Sequence, residues 1–215
     1  VTFVVNGRAT SDRRQPLNRI IQALRQSGHK IKSAHINENP GDGNAIFGPQ
    51  TARLSGADRL RERLCDLAFE IGPTSFFQVN PWQAINLYRR IAQVAGSPPT
   101  GQPQTAWDLY CGTGQISLVL ARTGYRVWGM EEIEQAVVDA RLNAKRNDLL
   151  DRCEFDAARV EDDRPPPDWA DHPSLIVVNP SRRGLAPAGM TAAGKQALPE
   201  LQPPHRINPR LATAL

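Results

Sequence analysis

The sequence predicts an α/β protein, a parallel sheet with crossover helices preceded by a small α+β lobe. Three observations carry that expectation. From Thr105 onward, apolar strand-length segments alternate with segments of helical period. A glycine-rich turn, Asp108-Leu-Tyr-Cys-Gly-Thr-Gly-Gln115, separates the first of these strands from the first helix. Finally, Gly96-Ser-Pro-Pro-Thr-Gly-Gln-Pro-Gln104 breaks the chain just ahead of them. Strands that alternate with helices pair in parallel through right-handed crossovers, and a proline run stops a helix.

Taken in order, Val1 to Val5 reads as a strand. A helix is expected from Pro16 to Gly28, because Leu17, Ile20, Ile21 and Leu24 share one face, Pro16 suits a first turn and Gly28 suits the position after the last. Lys32 to Ile71 is strand-and-turn material, with turn signals at Asn39-Pro-Gly-Asp-Gly43 and Ser55-Gly-Ala-Asp58. Asn80 is placed to cap a helix that starts at Pro81 and ends near Gly96, burying Trp82, Ile85, Tyr88 and Ala92. After the break come a strand at 105–110, a helix at 116–122, a strand at 126–131, a helix at 133–147, and strands at 153–157 and 175–179. Arg164-Pro-Pro-Pro-Asp168 turns at the surface before the last strand. The expected domains are a small α+β lobe at 1–75, a sheet domain at 76–190 with its lead-in helix 81–96, and an irregular, proline-broken tail at 191–215.

With 215 residues, 40% apolar and 22% charged, the chain matches globular rather than disordered or fibrous composition. Its longest apolar runs fall far short of the roughly 20 residues of a bilayer span. The N-terminus lacks the basic and apolar regions of a signal peptide, so a cytoplasmic protein without membrane association is expected. Cys65, Cys111 and Cys153 are odd in number and widely spaced, and His29, His35, His172 and His205 are as scattered, so neither a disulfide framework nor a metal site is expected. A net charge of +4 permits a polyanionic partner without requiring one.

The glycine-rich turn is where chemistry is expected. Gly112 and Gly114 would let a ligand approach the backbone at the carboxyl end of the sheet. Glu131 ends the next strand, where a carboxylate can accept hydrogen bonds from both hydroxyls of a ribose. The dinucleotide fingerprint would need a third glycine where Ser117 stands, so capture of a pyrophosphate loses support. A nucleoside cofactor without phosphates, S-adenosylmethionine, fits better. Asn179, followed by Pro180 at the end of the last strand, is expected to face cofactor and substrate. Arg182 and Arg183 are candidates for gripping nucleic acid phosphates.

Three motifs in order, Ile71-Gly-Pro-Thr-Ser-Phe-Phe-Gln-Val-Asn-Pro81, Asp108-Leu-Tyr-Cys-Gly-Thr-Gly114 and Val177-Val-Asn-Pro-Ser-Arg-Arg-Gly184, resemble the RNA uracil-5-methyltransferase family. F-F-Q-V-N-P and N-P-x-R-R-G look closer to its 23S ribosomal RNA members than to its transfer RNA member. The resemblance implies a Rossmann-like methyltransferase sheet, S-adenosylmethionine as cofactor, an RNA substrate and a monomer. It implies cofactor contacts at Gln78, Tyr110, Gln115, Glu131 and Asn179, with one more polar contact near Ala158 or Arg159.

Carbon 5 of uracil is a poor nucleophile. Enzymes of this family add a cysteine thiolate to carbon 6, let the enolate take the methyl group, and remove the carbon-5 proton with a base as the thiolate leaves. The family's cysteine lies in S-C-N-P. Here His205-Arg-Ile-Asn-Pro209 has Ile207 in its place, and the chain stops at Leu215. Cys65, Cys111 and Cys153 read as packing residues. The expectation is therefore a member shortened at both ends, with an incomplete sheet, no catalytic residue and impaired or absent activity. Two other readings stay open. One is an amino-group methyltransferase, because Asn179-Pro180 begins like N-P-P-Y but lacks the second proline and the aromatic. The other is a non-catalytic RNA-binding remnant.

Overall fold

The structure, a computed structural model, describes residues 1–180 except 42, 44, 45, 99–103 and 163. Arg182, Arg183, His205, Ile207 and the expected tail lie outside the described residues.

The first lobe opens with strand β1 (Thr2–Val5) and helix α1 (Ser11–Gln26), followed by β2 (Ser33–Glu38) and β3 (Gln50–Gly56). β1 lies parallel to β2, and β2 antiparallel to β3. The helix starts earlier than the sequence predicts: Pro16 sits inside it, not in its first turn. Asp12 in the first turn suits the positive end of the helix dipole, while Pro16, the sixth helical residue, leaves the carbonyl four residues before it without its N–H donor and crowds that carbonyl with its ring. Of the expected apolar face, Ile21 is buried, Leu17 and Leu24 are half-buried and Ile20 is exposed.

Strands β4 (Leu60–Leu64) and β5 (Leu67–Ile71) form a separate hairpin. Its two-residue turn, Cys65-Asp66, has positive φ at both positions (51° and 62°), the conformation whose twist suits a tight hairpin. The hairpin packs on the second lobe. Leu64, Leu67 and Phe69 belong to the same buried cluster as Ile116, Leu118, Val137 and Phe155, so the apolar core crosses the expected boundary at 75/76.

Helix α2 (Pro81–Ala95) is capped as its sequence predicts, the Asn80 side chain accepting the Gln83 N–H at 3.1 Å. Ala84 and Tyr88 are buried, but Trp82 is 77% exposed, contrary to the expected stripe. Two residues of helix turn about 200°, which carries Trp82 away from the face that Ala84 sets.

Then follow β6 (Thr105–Leu109), α3 (Gln115–Thr123), β7 (Arg126–Glu131), α4 (Glu134–Arg146), β8 (Cys153–Ala157) and β9 (Leu175–Val178). Among the described residues the sheet has the order β8-β7-β6-β9, and each of its neighbouring pairs is parallel. One face is covered by α2, α3, α4 and the hairpin. On the other face Trp107 and Trp128 meet edge to face at 5.2 Å, under 3-10 turns at Val160–Asp162 and Asp168–Ala170. The proline run before the second turn brings in the Ala170 carbonyl to accept Trp107 Nε1 at 2.8 Å.

Candidate functional site

The chain runs from β6 through β7 to β8 on one side and returns to β9 on the other, so the strand order reverses at β6. Ligands of such sheets bind outside the carboxyl ends of the strands at that reversal. The residues there are Tyr110 to Gly114 after β6, Glu131 at the end of β7 and Asn179 after β9.

Past Leu109 the backbone bends sharply, with positive φ at Tyr110 (64°), Gly112 (56°) and Gly114 (83°). Glu131 holds the bend in place. Its Oε2 accepts the Gly112 N–H at 3.0 Å and its Oε1 accepts the Ile133 N–H at 3.1 Å. A carboxylate has about four acceptor positions, so capacity remains for two ligand hydroxyls. Burial pushes the Glu131 carboxyl above its ordinary value, against the pull of the N–H groups it accepts.

The two glycines differ. A Cβ on Gly112 would meet only Gln115 Oε1, at 3.8 Å, so its side is open to a ligand as the sequence suggests. A Cβ on Gly114 would press on Ala140, Leu118 and Phe155 at 3.2–3.3 Å. Gly114 therefore serves packing of the helix entry and leaves no space for a ligand on that side. Gln115, the first residue of α3, is buried with its side-chain oxygen near Gly112.

Tyr110 is half-buried and donates its hydroxyl to Glu161 Oε1 at 2.8 Å. Burial first, then that acceptor, pushes the phenol up to about 12, while the donated hydroxyl holds Glu161 below its ordinary value. Asn179 continues the β6–β9 ladder, its N–H donating to the Leu109 carbonyl at 3.2 Å, which sets it beside Tyr110. Gln78 is half-buried between Phe77, packed edge-on against Phe69 at 5.8 Å, and Val79, which is 95% exposed. The structure thus joins Tyr110, Gly112, Gln115, Glu131 and Asn179 at one sheet edge. For Gln78 the structure gives no bond to those residues; it lies on the segment leading into α2, next to Phe77, which packs against the core cluster that holds Cys111.

Residues beyond the sequence reading also bear on the site. Asp108, on β6, is fully buried, accepts the Ser117 hydroxyl at 2.5 Å and keeps its other oxygen without a partner. Burial raises its carboxyl to about 7. Strand alternation was the available signal, since it places Asp108 on the face of apolar Ala106. Glu161, two residues past Arg159, accepts the Tyr110 hydroxyl; nothing in its local sequence marks it. Burial raises all three thiols, Cys153 to about 12 and Cys111 well above its ordinary value, so none is poised as a thiolate. Among the described residues no group of three or more His, Cys, Asp or Glu side chains is arranged to hold a metal, and no helix is long and apolar enough to cross a membrane.

No protein-family model matches the chain. It is 36% identical over 171 residues to an uncharacterized RNA methyltransferase of Enterococcus faecalis, covering 79% of this chain and 36% of that protein. It is 38% identical over 192 residues to one of Gloeobacter violaceus, covering 89% and 39%. The chain thus spans less than two-fifths of the length of these curated relatives. Among solved structures it resembles Pyrococcus abyssi tRNA (uracil-54, C5)-methyltransferase in complex with S-adenosyl-L-homocysteine, with TM-score 0.59 and 26% identity over 80% of this chain and 40% of that one. A putative transferase from Pyrococcus horikoshii, at 18% identity and TM-score 0.52 over 78% of this chain and 56% of that one, shares the fold. The sheet is a Rossmann-like methyltransferase fold, as the sequence predicts.

Proposed function

We propose that this chain is the S-adenosylmethionine-binding part of an RNA methyltransferase that acts on carbon 5 of uracil. The observation that carries the reading is the Gly112–Glu131 hydrogen bond, which joins an open glycine backbone to a buried acid with spare acceptor capacity. That is the chemistry a ribose and a nucleoside edge require.

The residues present fit the cofactor. Gly112 would supply the backbone floor and Glu131 the acceptors for the ribose hydroxyls, with Tyr110, Gln115, Gln78 and Asn179 completing the contacts. Bound there, the cofactor supplies an electrophilic methyl carbon. The protein's part is to hold and orient. Glu131 arrives with its shell of water removed and its two N–H partners already made, so little reorganisation is left for binding. Asn179 stands at the rim between cofactor and substrate, and Pro180 after it offers no competing N–H donor.

An RNA substrate is supported by the names of the relatives and by the charge distribution. Residues 1–38 hold seven Lys and Arg against two Asp and Glu, an excess of five in a chain whose total is +4. The N-P-x-R-R-G motif favours ribosomal over transfer RNA, with Arg182 and Arg183 as further phosphate contacts and a cytoplasmic monomer as the working form. Because Ile207 stands where the family's cysteine would be, this chain is proposed to bind cofactor and RNA without completing methyl transfer.

Calorimetry with S-adenosylhomocysteine tests the first part. Binding by the wild-type chain, lost in Glu131→Ala at unchanged fold, is the expected result; absence of binding by the wild type rejects the reading. Incubation with labelled S-adenosylmethionine and a uracil-containing 23S fragment tests the rest. Label at carbon 5 would overturn the proposed inactivity, and label on nitrogen would move the assignment to an amino-group enzyme.

A further inference from the structure

Helix α4 and its C-terminal cap, Asn147, touch both halves of the candidate site through three polar side chains spaced one turn apart. Asp139, fully buried, accepts the Ser75 hydroxyl on Oδ2 at 2.5 Å and has Arg59 Nη1 at 2.6 Å and Gln135 Nε2 at 3.1 Å from Oδ1. Ser75 stands three residues before Gln78. The approach is close: a Cβ on Gly72 would lie 2.9 Å from both Asp139 Oδ2 and Ser75 Oγ, so any side chain there would push on the pair. Asn147 accepts the Ala68 N–H and donates to the Ala68 carbonyl, each at 2.8 Å. Between them Asn143, also fully buried, accepts the Glu70 N–H at 2.7 Å and donates to the Glu70 carbonyl at 3.4 Å. Its amide nitrogen also donates to the Thr113 carbonyl, at 3.1 Å.

The bond to Thr113 sets Asn143 apart. Asn143 and Asn147 clasp β5 in the same way, but only Asn143 also holds the glycine-rich turn between Gly112 and Gly114. We infer that Asn143 is a positioning residue that sets the glycine-rich turn in register with the strand leading to Gln78, so that cofactor contacts drawn from two parts of the chain meet. The site's two contributions are far apart in sequence, 68–78 and 108–115, and a single planar amide with donors and an acceptor in fixed geometry bonds to both segments. In so buried a place each of its bonds is worth more than at the surface, and losing it leaves the Thr113 carbonyl without that donor. The inference rests on the cofactor reading for its functional half and on the hydrogen bonds alone for its structural half.

Asn147→Ala is the built-in control, because it removes the same kind of strand clasp without touching the turn. Amide hydrogen exchange across residues 110–116 and calorimetry with S-adenosylhomocysteine are measured on the full chain, on Asn143→Ala and on Asn147→Ala. Both variants should lose thermal stability. Only Asn143→Ala should accelerate exchange in the turn and weaken S-adenosylhomocysteine, each by about tenfold or more. Equal turn exchange in the two variants overturns the inference. So does faster turn exchange in Asn143→Ala with unchanged affinity. Faster turn exchange in Asn143→Ala alone, with no binding even by the wild type, supports the positioning role and rejects the cofactor reading. If Asn143→Ala does not fold, Asn143→Ser, which keeps a small donor and acceptor, replaces it under the same criteria.

Discussion

Ser117 donates its hydroxyl to Asp108 across 2.5 Å, linking the first turn of α3 to the strand beneath it where neither side chain touches solvent. One hydroxyl cannot replace the water the carboxylate gave up, so burial dominates and the carboxyl titrates near 7 instead of 3.8. Between those values the unfolded chain has released this proton while the folded chain still holds it. Folding then takes up a proton, and stability falls as pH rises through the window. Asp108→Asn, neutral throughout, should be free of that slope. Its stability relative to wild type, from urea midpoints, should rise by about 3 kcal/mol between pH 4 and 7 and level off above. A pH-independent difference would show that Asp108 ionises normally.

The two glycines of the turn should part company when substituted. Gly112→Ala meets strain from its positive φ but no neighbour, so it should cost about 1 kcal/mol of stability while weakening S-adenosylhomocysteine much more. Gly114→Ala adds contacts at 3.2–3.3 Å in the core to its own positive φ and should cost about 3 kcal/mol. Thermal melts beside calorimetry on both variants decide the matter; equal ratios of affinity loss to stability loss would refute it.

Breaking the Arg59–Asp139 pair should be severe. Asp139→Ala leaves a mostly buried guanidinium without its acid and should destabilise the chain by about 3 kcal/mol. Removing both charges with Arg59→Met and Asp139→Leu should recover most of that loss. A double variant no better than Asp139→Ala would argue against the pairing.

The excess charge of residues 1–38 should be visible in salt titrations. Among the described residues, Arg8 and Arg19 make no ion pair. Replacing both with glutamine should leave stability within about 0.5 kcal/mol. It should also lower the slope of log affinity for single-stranded RNA against log salt by about 0.7 for each phosphate no longer neutralised. Filter binding over a several-fold range of salt measures it, and an unchanged slope would place the RNA elsewhere.

Much of this arrangement is legible in the amino-acid order. Arg126–Glu131 and Cys153–Ala157 fall at their predicted bounds, each an alternating strand-length segment between helix-forming or polar stretches. Glu131 meets the turn because two adjacent parallel strands place their tips side by side. What could not be read was long-range. Pro16 lies within α1 because the helix starts at Ser11, six residues upstream of the apolar periodicity that begins at Leu17. Trp82 looks like core by type and is solvent-facing because Ala84 and Tyr88 decide which side of α2 is covered. Asn143 and Asn147 look like ordinary polar helix residues. Their task depends on a strand more than 70 positions earlier, and no local pattern announces it.

The clasp of α4 on β5 also closes an outer strand edge. Four residues of helix advance about 6 Å and two residues of strand about 6.7 Å, so side-chain amides can occupy the peptide groups of Ala68 and Glu70 that another chain would otherwise use. An incoming polypeptide finds that rim already taken. Fraying of α4, even with every strand intact, would bare those groups, leaving an open strand edge of the kind that pairs with other chains.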